Sequence, residues 1–346
     1  MAPALSNILT VKPSQLKQIL ILAIQNHKDV LIVGKPGIGK TDIVHQAAAE
    51  TDALVVVDYP ALSDPTDYKG LGWPDPSGKS ANFILFGNML QLVNAGDRRI
   101  VFFEDEIGQA PDAVQKALMS VNLTKTVNGQ KFGPNVTIIA ATNRREDKAG
   151  VTAILETVKG RFDIIVHLEP DLDDSVKWML DHGQPIEHIA FNRFRPEHLL
   201  MTNWKPTPDM VNSPSPRTIA KVGNWINTKP PAELEYIIYA GCAGQAYAAE
   251  EMAFLKMFRE LPSIDRILLN PDKEEVPEKP DVLYATCAAL TGKASQQTLP
   301  NILKYSNRMR PQFSVMLVKD IVAKDKTLVN SKAFIDWSVK HSNVLV

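Results

Sequence analysis

A glycine-rich segment that ends in lysine and threonine carries the clearest chemistry in the sequence. Gly34-Lys35-Pro36-Gly37-Ile38-Gly39-Lys40-Thr41 fits the pattern G-x-x-x-x-G-K-[ST] and lies between an apolar run and a helical pattern. Glycines in such a loop let backbone N–H groups turn toward phosphate oxygens at a helix N-terminus. Lys40 would then place its charge on the β- and γ-phosphates, and Thr41 would offer its hydroxyl to Mg²⁺. The segment predicts a site for ATP and Mg²⁺, against the weaker alternative of a turn that binds nothing.

Three consecutive acidic residues, Glu104-Asp105-Glu106, follow an apolar run at 100–103. We expect Asp105 to hold Mg²⁺ through its water shell and Glu106 to polarise the attacking water as a general base. Glu104 and Asp105 could instead be the working pair, which would leave Glu106 as a solvated loop charge. Because a strand directs only alternate side chains toward one face, we favour Asp105 and Glu106.

Asn143 follows Ala140-Ala141-Thr142 at the end of another apolar run. Its amide could orient the water between the carboxylates and the γ-phosphate. An asparagine after a strand is more often a turn former. Its position beside the nucleotide motifs favours the water-orienting role.

The elements that must position these residues are strands alternating with helices. The sequence predicts five strands of a parallel sheet, at Val30–Val33, Ala53–Asp58, Ile100–Glu104, Val136–Thr142 and Asp163–Leu168. Helices are predicted from Pro13, from Pro111 and over Val151–Lys159, and only helices are predicted after Pro170. We therefore expect two domains, an α/β nucleotide domain over 1–170 and a helical domain over 171–346.

Two segments interrupt the alternation. The Pro- and Gly-rich segment 59–79 is too long for an ordinary connection and is predicted to be a functional or mobile loop. Trp73 within it would more often pin such a loop to the body than grip a partner in a pore. Asn128-Gly129 within 124–131 predicts a two-residue hairpin.

The composition excludes several classes of protein. The chain has 346 residues, with 38 Lys and Arg against 39 Asp and Glu, so no overall basic charge favours nucleic acid. Its apolar runs are too short for a membrane span, and we expect no secretory signal. Cys242 and Cys287 form neither a disulfide framework nor a metal motif, and we expect both to be structural thiols on helices. These features predict a cytoplasmic protein.

Taken in order, the motifs resemble those of the AAA+ ATPases, and more narrowly of their MoxR-like branch. DEIGQAPDAVQKALM at 105–119 is similar to that branch's DEINRAPP..QxALLxAM, and the Asn-Gly hairpin, AATN, GRF at 160–162 and SPR at 215–217 follow it. The resemblance implies an α/β P-loop domain followed by a helical lid with additional C-terminal helices. Two positions depart from the pattern. Gly108-Gln109 stands where the family usually has Asn-Arg, and Glu104 replaces a small or apolar residue.

The resemblance also implies roles for three polar residues. Asn143 corresponds to sensor 1, Arg161 to the arginine finger that reaches a neighbouring subunit's nucleotide, and Arg217 to sensor 2 on the lid. From the residues alone, Arg161 could be a structural charge at a helix end. Arg217 could likewise be an ordinary residue at a helix start after Pro216.

The expected function is ATP hydrolysis by a homo-oligomeric ring of six, because a finger acting in trans completes each site from a neighbour. The resemblance implies remodelling of a protein partner with a von Willebrand factor A-like domain. One alternative is a DNA-directed motor of the clamp-loader or branch-migration kind, with the long helical C-terminus as a collar. The other is a nucleotide-gated scaffold that does not hydrolyse ATP, against which Glu106 and Asn143 argue.

Two pairs of arginines near aromatic or apolar residues would permit a nucleic-acid contact, namely Arg193 with Arg195 and Arg308 with Arg310. Since the net charge gives no support, we favour solvated faces or subunit contacts for both pairs. Nucleic acid is therefore possible as a partner but not favoured.

Overall fold

The computed structural model of the chain describes residues 9–147, 154–207, 209–259, 261 and 263–340. It consists of two compact units, Met1–Pro170 and Asp171–Val346. All strands of the described residues lie in the first unit, and the second unit is helical. None of the described helices is both long enough and apolar enough to span a membrane.

The first unit is built on a parallel sheet of six strands in the order β1-β10-β2-β9-β6-β3. The strands of the chain are β1 (Thr10–Val11), β2 (Val30–Gly34), β3 (Leu54–Asp58), β4 (Leu71–Pro74), β5 (Ala81–Ile84), β6 (Ile100–Glu104), β7 (Thr126–Val127), β8 (Gln130–Lys131), β9 (Val136–Thr142) and β10 (Ile164–Leu168). All five predicted strands are confirmed, two of them starting one residue later than expected. The expected count of five is corrected by β1, which pairs with β10 and is too short to show a periodic pattern.

Helices cover the sheet and form the whole second unit. The first unit contains α1 (Pro13–Gln25), α2 (Lys40–Glu50), α3 (Pro65–Lys69), α4 (Gly87–Val93), α5 (Asp112–Thr124) and α6 (Glu156–Lys159). The second contains α7 (Leu172–Asp181), α8 (Ile186–Phe194), α9 (Pro196–Leu199), α10 (Pro216–Asn227), α11 (Ala232–Ala243), α12 (Gln245–Arg259), α13 (Ile264–Leu269), α14 (Pro280–Gly292), α15 (Leu299–Ser306), α16 (Pro311–Lys324) and α17 (Lys332–Lys340). Short 3₁₀ helices occupy Pro60–Leu62, Ile107–Gln109, Arg145–Asp147 and Lys326–Asn330.

The core of the first unit follows from the apolar runs. The central strands are buried on both faces, as parallel strands covered by helices must be. On one face, Phe102 of β6 packs in a cluster with Val114, Leu118 and Val121, which lie along one side of α5. The predicted helix from Pro111 is thereby confirmed. Of the predicted helix over 151–159, only Glu156–Lys159 is helical, as α6; residues 154 and 155 are not helical, and residues 151–153 lie outside the described residues.

The segment 59–79 is not the long loop that its composition predicts. It folds into a 3₁₀ turn, α3 and the first strand of an antiparallel hairpin, β4–β5. Asp64 starts α3 by accepting a hydrogen bond from the Thr66 N–H, so an Asp-Pro sequence that suggests a loop is here a helix N-terminus. The side chain of Trp73 on β4 is 62% exposed, and the expectation that it pins the segment to the body is wrong.

The Asn-Gly hairpin is confirmed. Asn128 and Gly129 join β7 to β8 with φ angles of 48° and 78°, which is the left-handed backbone that this turn requires. In the second unit, Phe254 and Leu255 of α12 are buried in a cluster that includes aromatic residues of α8 and α11.

Candidate nucleotide site

The candidate site lies at the carboxyl edge of the parallel sheet. Neighbouring strands β2, β9 and β6 end there, and the glycine-rich loop, Asn143 and Asp105 directly follow their last residues. In open α/β sheets ligands bind outside the carboxyl ends of the strands. The parallel order of the strands therefore brings together residues that are far apart in the sequence.

The backbone of residues 34–41 has the form that phosphate binding requires. Gly37 and Gly39 have φ angles of 77° and 94°, and α2 begins immediately afterwards at Lys40. A Cβ atom at Gly34 would lie 2.6 Å from Ile38 Cδ1 and 3.0 Å from the Leu168 carbonyl oxygen. A larger residue at that position would require the Ile38 side chain to move and the end of β10 to give slightly, so the close approach of the loop to β10 favours glycine.

Lys40 lies in the centre of the site and joins two of its segments. Its buried ammonium donates hydrogen bonds to the carbonyl oxygens of Gly34 at 2.9 Å and Lys35 at 3.0 Å. It also donates to the side-chain oxygen of Asn143 at 2.8 Å. The end of β9 is thereby tied to the loop after β2, and the water-orienting role of Asn143 stays a prediction.

Thr41 and Asp105 form the second link of the site. The Thr41 hydroxyl donates to Asp105 Oδ2 at 2.9 Å, across the 64 residues that separate them in the chain. A hydroxyl and a carboxylate are oxygen donors of the kind that Mg²⁺ takes when it also binds phosphate. The two side chains thus fit a magnesium ion, and their roles as its ligands stay predictions.

Glu104 and Glu106 have opposite environments. Glu104 is fully buried at the end of β6, and its Oε2 accepts a hydrogen bond of 3.1 Å from Asn122 Nδ2 of α5. Burial raises the pKa of Glu104 well above its ordinary value, and the carboxylates of Asp58 and Asp29 raise it further. Glu106 is exposed, with a left-handed backbone at φ 59° that turns the chain just after Asp105. These environments favour Glu106 over Glu104 as the general base.

A cluster of charged side chains at the same edge has no counterpart in the sequence motifs. Glu169, the residue after β10, lies 3.1 Å from Arg144 NH1 and 3.7 Å from Lys35 Nζ. Arg144, which follows Asn143, also donates two hydrogen bonds to Asp147. The network joins the segment after Asn143 to the phosphate loop. The available signal was a charged residue shortly after each of two predicted strands, Arg144 two residues after Thr142 and Glu169 directly after Leu168.

The two predicted arginines lie in different units, Arg161 in the first and Arg217 in the second. Arg161 lies between α6 and β10, and its Nε is a buried atom for which the described residues provide no hydrogen-bond partner. Asp163 N donates to the carbonyl oxygen of Asp29, which precedes β2, so this segment lies at the amino edge of the sheet. Arg217 is exposed in the first turn of α10, in the second unit. Both of their roles stay predictions.

The arginine pairs considered for nucleic acid make contacts within the second unit. Arg193 forms an ion pair with the buried Asp320, and Arg195 lies 3.0 Å from Glu250. Arg308 and Arg310 donate to backbone carbonyl oxygens at 271, 274 and 278. Arg193 and Arg195 are thereby paired with acidic side chains of α16 and α12, whereas Arg308 and Arg310 are exposed and bonded to the segment 271–278.

Comparison with known proteins gives a family for the first unit. Residues 30–170 match the family described as ATPase family associated with various cellular activities (AAA). No curated protein matches the chain. Among solved structures it is similar to the RuvB Holliday junction branch migration motor of Thermotoga maritima, at 19% identity over 80% of this chain and 81% of that chain, with a TM-score of 0.39. It is also similar to a candidate ATPase of Cytophaga hutchinsonii, at 16% identity over 89% and 80% of the two chains, with a TM-score of 0.36.

The matched region contains the glycine-rich loop, Asp105, Asn143 and all strands of the large sheet except β1. Residues 30–170 are thus similar to the AAA ATPase family, and the chain has the α/β P-loop fold of AAA+ proteins followed by a helical region.

Proposed function

We propose that the chain is an Mg²⁺-dependent ATPase of the MoxR-like kind, which works as a ring and remodels a protein partner. The observation that carries the proposal is the meeting of Lys40 with Asn143 and of Thr41 with Asp105 at one edge of the sheet. A fold that only needed a tight turn there would not require this set of cation, hydroxyl, carboxylate and amide.

Each group of the site has a task in phosphoryl transfer. Lys40 and the N-terminus of α2 bind phosphate oxygens, and Thr41 and Asp105 hold the metal ion. The metal ion, when bound, neutralises charge on the β- and γ-phosphates. Glu106 takes a proton from the attacking water, and the Asn143 amide orients that water. General-base catalysis of this kind contributes about 10²- to 10⁴-fold in rate.

The position of Arg161 supports the proposed ring. Lys40 follows the carboxyl end of β2, whereas the segment with Arg161 lies at the amino edge of the same sheet. An arginine at the opposite edge is poorly placed for its own site and suits the site of a neighbouring subunit. We therefore propose a homo-oligomer, with six subunits as its expected size, in which Arg161 stabilises charge in the neighbour's transition state.

The proposed partner is a protein with a von Willebrand factor A-like domain, as the MoxR-like sequence pattern implies. Arg193 and Arg195 are paired with Asp320 and Glu250, and Arg308 and Arg310 donate to backbone carbonyl oxygens, so these contacts do not favour a DNA substrate over a protein partner. Capture experiments with the Glu106→Gln chain, held in its ATP state, should identify the partner.

ATP binding and hydrolysis in three chains test the proposal. The parent chain should bind and hydrolyse ATP with Mg²⁺, Lys40→Ala should lose binding, and Glu106→Gln should bind ATP but hydrolyse it at least about 10²-fold more slowly. Glu104→Gln is the matched control and should hydrolyse ATP. The proposal fails if the assembled parent chain does not hydrolyse ATP, and steep stimulation of hydrolysis by DNA at low salt would replace the protein partner with DNA.

A further inference from the structure

The β4–β5 hairpin is flanked in the sequence by two short helices, α3 and α4. Both helices are hydrogen-bonded to the buried carboxylate of Asp58. Tyr68 of α3 donates its hydroxyl to Asp58 Oδ2 at 2.6 Å. Asn88 of α4 donates from Nδ2 to Asp58 Oδ1 at 3.0 Å. The two oxygens of Asp58 are thus divided between the helix that precedes the hairpin and the helix that follows it.

Asp58 also contacts the candidate nucleotide site, through its backbone. It is the last residue of β3, and its carbonyl oxygen accepts a hydrogen bond of 2.9 Å from the N–H of Asp105. The Asp105 side chain in turn accepts from Thr41 at 2.9 Å. A continuous series of short contacts therefore runs from the predicted metal ligands to both ends of the hairpin.

The junction between hairpin and helices is tightly packed. Gly70, between α3 and β4, has a φ angle of 79°, and a Cβ atom there would lie 2.5 Å from the Ile84 carbonyl oxygen of β5. The side chain of Tyr68 is 1% exposed, whereas those of Leu71 and Trp73 on β4 are 54% and 62% exposed. The junction around Tyr68 is buried and hydrogen-bonded, whereas the hairpin that it carries is apolar and exposed. Such an arrangement is suited to transmit a movement of Asp58 to the hairpin.

Joining two helices through a buried carboxylate has a cost in desolvation free energy. Burial raises the pKa of Asp58, while the hydrogen bonds from Tyr68 and Asn88 oppose that shift. Apolar residues of similar volume would fill the same space without the desolvation cost. The polar arrangement instead fixes the direction in which each helix is held, because hydrogen bonds are directional and apolar contacts are not.

We propose that Asp58 is a positioning residue that couples the β4–β5 hairpin to Asp105. The nucleotide state of the site then changes the placement of the hairpin, and a partner that contacts the hairpin changes the rate of hydrolysis. This inference rests on the proposed function as an ATPase. Asp58 acts through Asp105 and contacts neither nucleotide nor partner.

Trp73 gives a direct measurement of the hairpin. It is the single tryptophan of residues 1–170, and the other four belong to the second unit: Trp178, Trp204, Trp225 and Trp337. The change in tryptophan fluorescence on adding ATP and Mg²⁺, recorded for the full chain and for Trp73→Phe, isolates the response of the hairpin by difference.

The coupling is tested by removing one tether at a time. Tyr68→Phe removes only the hydroxyl that donates to Asp58 Oδ2. Asn88→Ala removes the amide that donates to Asp58 Oδ1. Tyr59→Phe is the matched control, because Tyr59 lies beside Asp58 in the sequence with a side chain that is 49% exposed. We expect Tyr68→Phe and Asn88→Ala each to reduce the Trp73 response at least twofold. In both, kcat should fall at least threefold while KM for ATP stays within twofold of the parent value.

The outcomes separate this inference from the proposed function. If the parent chain hydrolyses ATP but Trp73 does not respond, or responds equally in Tyr68→Phe, Asn88→Ala and Tyr59→Phe, the coupling is overturned and the ATPase stands. A lower melting temperature of the Tyr68→Phe chain with an unchanged Trp73 response would show a purely structural role, which also overturns it. A parent chain that neither binds nor hydrolyses ATP overturns the proposed function, and the inference with it.

Discussion

The Asn143 side-chain oxygen lies 2.8 Å from the Lys40 ammonium, across the neighbouring strands β2 and β9. The same ammonium donates to two backbone oxygens of the phosphate loop, so three acceptors surround it. Phosphate oxygens of a bound nucleotide would replace some of these acceptors. The Asn143 amide, once released from Lys40, would then be available to orient a water molecule.

This relationship predicts different effects for two substitutions of Asn143. Asn143→Ala removes an acceptor that competes with phosphate, so ATP should bind within about threefold of the parent affinity while kcat falls about 10²-fold. Asn143→Asp places a carboxylate against Lys40 and near the γ-phosphate, so it should weaken ATP binding as well. Titration with a non-hydrolysable nucleotide and steady-state kinetics measure the two quantities. Equal kcat values for Asn143→Ala and the parent would remove Asn143 from the reaction.

A second prediction concerns the buried Glu104. Its Oε1 and the Asn122 Oδ1 are both buried, and neither has a hydrogen-bond partner among the described residues. Glu104→Gln imitates the protonated acid, because its amide keeps one donor and one acceptor at every pH, with the acceptor available to Asn122 Nδ2. In the folded chain the pKa of Glu104 is well above the value of 4.5 that the unfolded chain has. As the pH rises from below 4.5 through that raised pKa, the unfolded chain loses the Glu104 proton first. The free energy of unfolding of the parent therefore falls relative to that of Glu104→Gln.

Thermal unfolding of both chains from pH 4 to pH 8 measures this effect. The melting temperature of Glu104→Gln minus that of the parent should increase with pH, and at pH 8 it should be positive. Glu106→Gln is the control, since Glu106 is exposed, and its difference from the parent should not grow in this way. A constant difference for Glu104→Gln over the whole range would show that Glu104 does not keep its proton.

The glycine-rich loop, β1 and Glu104 differ in how far the sequence could predict them. The glycine-rich loop and the strands around it were predictable because local sequence sets their backbone, through glycines at positive φ and through apolar runs that must be buried. The strand β1 was not predictable, because two residues are too few to show the alternation of apolar and polar residues that marks a strand. The environment of Glu104 was not predictable either, since its burial depends on α5 covering the end of β6.

The hairpin β4–β5 was missed for a different reason. Its strands contain Gly72, Pro74 and Asn82, residues that usually mark loops, and the side chains of all its residues are exposed. No buried face imposes an alternating pattern on such a hairpin. Its position is set by Tyr68, Asn88 and Asp58, and contacts between those residues appear only in three dimensions.

A third prediction concerns the two thiols. Burial raises the pKa of Cys287 to about 12, so its thiol is protonated near neutral pH, and the half-buried Cys242 also has its pKa raised by burial. In the native chain, Cys287 should not react with a thiol reagent, and both should react after denaturation. The double Cys→Ala chain should hydrolyse ATP at the parent rate. Loss of hydrolysis with fold and assembly intact would contradict a structural role for the thiols.

The last prediction concerns Arg161 and tests the ring. Arg161 lies between α6 and β10, at the edge of the sheet opposite to that of Lys40, and its Nε has no hydrogen-bond partner among the described residues. Arg161→Ala should therefore bind ATP normally, yet hydrolyse it about 10³-fold more slowly, as expected for the loss of an arginine finger. Lys159→Ala removes a nearby cation that is paired with Glu156 on α6, and it should hydrolyse ATP like the parent.

An experiment that mixes two inactive variants distinguishes an Arg161 that acts on a neighbouring subunit from one that acts within its own subunit. At an interface between Arg161→Ala and Lys40→Ala chains, the intact Lys40 of one chain can meet the intact Arg161 of the other, which rebuilds one complete site. Rings assembled from both chains should therefore recover part of the parent hydrolysis rate, whereas each chain alone stays inactive. An arginine that acts in its own subunit would leave every site incomplete at any mixing ratio. The trans assignment is falsified if verified mixed rings remain inactive while parent rings prepared in the same way hydrolyse ATP.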